Sequence, residues 1–198
     1  TTTAWHTGLP FIFDIQPLVT NADRADALTR LRAVAGYINT EIENLTLGLA
    51  QGYSSPRLTV TEVPEQVRAL LQPDNPFLNM GKRSDNPLFQ DAVQREYEQS
   101  IQPALNRFAD FIETQYLPKA REDIAISGNP NGAQCYTALV RAFSTLPATP
   151  AEIHRSGLAQ MASIRGEMRE VIDTHFDGEA TETFLRRINQ DPQFTFEN

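Results

Sequence analysis

The chain has 198 residues, and its 25 acidic against 17 basic side chains give a net charge of −8. That balance, with no long basic run, argues against a nucleic-acid partner, because like charge repels phosphate at long range. The single cysteine excludes an intrachain disulfide, and no apolar run approaches the roughly 18 residues of a membrane span.

The first residues, Thr1-Thr2-Thr3-Ala4-Trp5, show neither an initiator Met nor a signal-peptide core. The expectation is a mature chain that follows a removed segment, or an excised piece. Residues 1–20 read as an extended, Pro-containing lead-in whose Phe11, Ile12, Phe13, Ile15 and Leu18 pack across helices. Asn21 is the expected N-cap of a helix bearing Leu28, Leu31, Ala35, Ile38, Ile42, Leu45 and Leu49 on one face. Gly36 is a candidate break in it, and Gly52 a left-handed stop.

Val60 to Leu71 suggest a shorter helix, with Pro64 in its first turn. Residues 72–87 are turn-rich and read as a loop. From Leu88 to Tyr116 apolar residues step by about four, which predicts a long helix ending near Pro118 and kinked at Pro103. Residues 124–131 read as a connection, and 133–144 as a small helix with Cys135 in its core. Thr149-Pro150-Ala151-Glu152 carries a capping box with proline at the first helical position. The helix it opens presents Leu158, Met161, Ile164, Met168, Val171 and His175. Gly178 and a last helix over 179–190 follow.

No period-two stretch stands out, so the fold class is all-α, an irregular multi-helix array. One domain or segment is expected over 1–198: a lead-in at 1–20, long helices at 21–118 and C-terminal helices at 132–190.

A zinc site needs three or four closely spaced donors. His154 and His175 lie on one predicted helix about 30 Å apart at 1.5 Å per residue, and the helical HExxH pair is absent. No G-x-S-x-G elbow or P-loop occurs. The chain alone therefore offers no catalytic and no metal residues. Ser127 to Gly132 reads as a connecting loop, and Arg165 and Arg169 as solvated charges one turn apart. His154, one turn before Leu158, sits on or beside an apolar face.

Several strings resemble a known family. They are Gly132-Ala133-Gln134-Cys135-Tyr136, Ser144-Thr145-Leu146, Thr149-Pro150-Ala151-Glu152-Ile153-His154-Arg155-Ser156-Gly157-Leu158, Ile164-Arg165-Gly166-Glu167-Met168 and Asp191-Pro192-Gln193-Phe194. Earlier come Arg30-Leu31, Tyr37-Ile38, Gly48-Leu49-Ala50-Gln51-Gly52 and Pro56. From about Gly8 onward the order is similar to the bacterial family of domain of unknown function 885, with Cys135 where many members carry an aromatic residue. The resemblance implies a large, mostly helical, zinc-metallopeptidase-like protein whose HExxH helix lies downstream of this segment. Zinc is then implied for the full-length protein and not for this chain. Tyr136 and His154 match family positions that face the substrate cleft, and the family leans towards the periplasm or export.

Two readings follow. The chain is a cleft-wall or substrate-side segment of a zinc-metallopeptidase-like protein, inactive alone, meeting peptide substrate together with the remainder. Alternatively it is a stand-alone, non-enzymatic helical module that binds a protein or peptide.

Overall fold

A computed structural model describes residues 4–194. The protein is all-α. Among the described residues no strand forms, and one isolated bridge pairs Pro56 with Arg121. The chain divides into two compact units, Thr1–Gly132 and Ala133–Asn198.

In the first unit the lead-in is not extended. It forms α1 (Trp5–Ile15) in spite of the internal Pro10. His6, Pro10 and Phe13 are buried, a stripe of one helical face. Burial of that stripe outweighs the hydrogen bond that Pro10 removes. The C-terminal end of α1 has no basic residue of its own. Instead the Arg83 guanidinium donates to the carbonyls of Phe13 (2.6 Å) and Gln16 (3.1 Å). Phe11, Ile12 and Ile15, expected to pack, are exposed.

Helix α2 (Asn21–Ala50) starts one residue earlier than expected. Thr20 is the cap, and it exchanges hydrogen bonds with Asp23 in a capping box. Gly36 does not interrupt it. The fully buried stripe is Ala27, Leu31, Val34 and Ile38, and Leu28, Ala35, Ile42, Leu45 and Leu49 flank it half-buried. Gly52 then turns the chain at φ +82°.

Two short helices follow, α3 (Arg57–Val60) and α4 (Val63–Ala69), with Pro64 in the first turn of α4. The expected loop at 72–87 contains α5 (Pro76–Lys82). Asn75 caps it by accepting from Leu78 N–H, and Phe77 and Met80 drive it by complete burial. Asn86-Pro87 repeats the device at the start of α6 (Pro87–Glu96).

The expected long helix is α6, a π turn at Tyr97–Ile101, α7 (Gln102–Phe111) and a second π turn at Ile112–Tyr116. Each π turn stops one residue before the residue that precedes a proline. Gln102 N–H bonds Tyr97 O and Leu117 N–H bonds Ile112 O, five residues back, and Pro103 and Pro118 follow. A proline cannot donate to the carbonyl four back and its ring crowds that carbonyl. Widening the preceding turn relieves both. Helices α6 and α7 pack against α2, and α4 against α7, around one core that includes Leu31, Ile38, Val67, Ile101 and Leu105.

Gly132 closes this unit. A Cβ there would lie 2.0 Å from the Ile126 carbonyl oxygen, so no larger residue fits.

The second unit comprises α8 (Gly132–Ser144), α9 (Pro150–His175) and α10 (Thr181–Ile188). The Thr149–Glu152 capping box forms at the start of α9, with Pro150 in the first turn. The reciprocal hydrogen bonds from Thr149 hold the Glu152 carboxyl below its usual range. Gly178 turns the chain at φ +70°. Arg169 closes the turn by pairing with Asp173 and donating to the carbonyls of Gly178 (2.9 Å) and Glu179 (2.6 Å). It is thus a clamp on the chain, not the solvated charge expected. Phe176 and Phe184 meet at 4.6 Å between α9 and α10.

Candidate functional site

In the second unit Tyr136, 49% exposed, lies on α8, and His154 is exposed in the first turns of α9. Neither has a hydrogen-bonded partner holding its side chain. Cys135, expected as a core position, is exposed too, because α8 buries only Gly132. From Ile153 through Leu158, Met161 and Ile164 to Val171, the apolar side chains of α9 are also open to solvent.

The first unit holds a cavity of about 370 Å³. Four parts of the chain build it. Trp5 and His6 come from the first turn of α1. Tyr37, Glu41 and Leu45 step by four along α2, so they share a face. Phe108, Ile112 and Tyr116 do the same along α7 and the second π turn. Ser55, Thr59, Val60 and Val63 complete the wall.

His6 is 4% exposed, and its Nε2–H donates to Gln66 Oε1 at 2.8 Å. Burial pushes its pKa below 6.5, with the Gln66 bond pulling the other way. Partial burial, then the charge and hydrogen bond of Glu41, raise the Tyr37 hydroxyl. Tyr116 Oη accepts from Ser55 N–H at 2.8 Å, and Thr59 Oγ1 donates to Pro56 O at 2.9 Å. The Trp5 ring stands edge-on to Phe108 (4.9 Å) and Tyr37 (6.1 Å). Its indole Nε1–H is buried with no acceptor.

Among the described residues that line the cavity, no hydroxyl is bonded to His6, whose partner is Gln66. None of the lining residues was a site candidate in the sequence. The four-residue steps Tyr37-Glu41-Leu45 and Phe108-Ile112-Tyr116 were visible, but nothing in sequence joins them to residue 5.

Residues 1–198 match the family described as bacterial protein of unknown function, DUF885. The chain belongs to the DUF885 family. A comparison with curated proteins gives no significant match. This DUF885 chain is similar to a solved structure described as "the putative lipoprotein from Colwellia psychrerythraea". Identity is 22% and the TM-score 0.89, over 99% of this chain and 36% of that one. At that identity the likeness shows the fold. The DUF885 chain thus spans about a third of the length of the structure it matches.

Zinc, which the family resemblance implies for a full-length protein, finds no donor cluster among the described residues of this chain. His6 bonds Gln66 through Nε2, and His154 and His175 share one helix, 21 residues apart. Among the described residues no three His, Cys, Asp or Glu side chains converge. No helix among them is long and apolar enough to cross a membrane.

Proposed function

We propose that this chain is the helical cleft-wall segment of a larger zinc-metallopeptidase-like protein, inactive without the remainder. The observation that carries the reading is the open apolar face of α9. Leu158, Met161, Ile164 and Val171 are each more than half exposed, at helical spacing. A monomer seldom leaves such a contiguous stripe in water. The 36% coverage of the matching structure supports a further body of chain that covers it. Zinc ligands and a catalytic base belong to that remainder, and no reaction step is assigned to residues here. Tyr136 and His154 are the substrate-side residues of this proposal, with peptide as the substrate class. Export to the periplasm goes with it, supported by the lipoprotein description of the matching structure.

The same face also favours the second reading, a non-enzymatic module whose α9 takes up an amphipathic peptide. Hydrogen exchange on α9, with zinc analysis and peptide-hydrolysis assays, separates the two. The longer protein is expected to protect α9 amides, bind zinc and cleave peptides, and this chain alone to do none of these. One zinc per isolated chain, or α9 left unprotected in the longer protein, overturns the proposal. Protection of α9 by added peptide alone supports the second reading.

A further inference from the structure

The first-unit cavity is independent of the reading above, and its chemistry is specific. Three features define it. Among the described residues that line it, the one carboxylate is Glu41, and none is Lys or Arg. Its aromatic walls are Trp5, Tyr37, Phe108 and Tyr116. Its one buried donor without an acceptor is Trp5 Nε1–H.

A carboxylate among aromatic rings attracts a cation, through Coulomb attraction and through the negative faces of the rings. An inorganic ion would find one carboxylate and no second acidic group, too few oxygens to replace its water. An organic ammonium needs fewer partners and gains from the apolar walls, Leu45, Val60, Val63 and Ile112. The Trp5 indole asks for an acceptor, and a buried N–H left unpaired is costly. A carbonyl oxygen on the ligand supplies it. The volume lies within the range of about 300–1,000 Å³ common for small-molecule sites.

We propose that this cavity binds a primary ammonium on an apolar body with a carbonyl oxygen beside it, the chemistry of a free amino-terminal residue or an amino-acid amide. Glu41 pairs with the ammonium, Trp5 Nε1–H with the carbonyl, and the remaining rings and aliphatic side chains hold the body.

Trp5 is the sole tryptophan of the chain, so its fluorescence reports the site directly. The experiment titrates the purified chain at pH 6.5 with L-phenylalaninamide, N-acetyl-L-phenylalaninamide and phenethylamine. L-phenylalaninamide is expected to give one saturable change. The acetylated compound, which lacks the charge, is expected to bind at least about tenfold more weakly, and phenethylamine, which lacks the carbonyl, severalfold more weakly. Glu41→Gln should weaken phenylalaninamide about tenfold and leave the acetylated compound unchanged. Glu43→Gln, an exposed charge on the same helix, should change nothing. Helical circular dichroism checks that both variants fold. No saturable change, acetylated and free amide binding alike, or equal losses in Glu41→Gln and Glu43→Gln overturns the proposal. Phenethylamine binding as tightly as phenylalaninamide overturns the assignment of Trp5 to a carbonyl.

Discussion

The two units use the same kind of helix to opposite ends. In the first, every long helix turns a stripe inward, and Phe13, Leu31, Ile38, Phe77 and Leu105 are wholly buried. In the second, Ile172 is the one buried side chain among the described residues after Gly132. Yet α9, at 26 residues, is nearly as long as the 30-residue α2, and it is better capped at its start than most. Capping and periodicity therefore form a helix in both units, while only the first also supplies a partner for the apolar face. Helix formation and helix burial are separate achievements, and the second unit shows the first without the second.

Substitutions sharpen that contrast. Leu105→Ala should cost the most, roughly 2–5 kcal/mol, because it empties a fully packed site. Urea unfolding of the first unit measures it, and a loss below 1 kcal/mol would mean that the core is loose.

Tyr97→Phe comes next. The Tyr97 hydroxyl donates to Leu70 O at 2.9 Å within the core, and losing it should cost roughly 1–3 kcal/mol by leaving that carbonyl unpaired. The same denaturation series reads it, and a neutral result would show water reaching Leu70.

His6 gives a smaller, pH-dependent effect. Its folded pKa is lowered by burial, so the unfolded chain binds the proton more readily. Stability is then full above the ordinary value of 6.5 and falls as pH drops below it towards the folded pKa. His6→Gln should flatten that part of the melting-temperature profile. A wild-type profile already flat from pH 7 to 5 would refute the assignment.

The double variant Leu158→Ser, Met161→Ser should do least, within about 0.5 kcal/mol in the isolated chain, since both side chains already face water. On the proposal that further chain covers α9, the prediction inverts in that longer protein, where the same pair should destabilise strongly. Equal effects in the two settings would break the comparison between the units.

Legibility followed locality. The Thr149–Glu152 box and the stops at Gly52 and Gly178 depend on residues within one turn of each other, and each appears where the sequence placed it. The irregularity at Pro103 was also local, although it takes the form of a π turn. Helix α5 was missed because Asn75-Pro76 reads equally as turn and as helix start. Burial of Phe77 and Met80 decided between them. Helix α1 was missed because Gly8 and Pro10 argue against helix, and only packing and the distant Arg83 reverse that. The candidate cavity was invisible, because Trp5, Glu41 and Tyr116 are brought together by contacts that span most of the first unit.

By itself the sequence determined that the protein is helical and where most helices begin and end. Hydrophobic period, caps and prolines act over three or four residues, within reach of the chain itself. Tertiary structure alone decided which faces are buried, which weak helices survive, and that an unpaired indole and a carboxylate share a cavity. Those outcomes depend on free energies of burial and desolvation, which take their values only once distant segments have met.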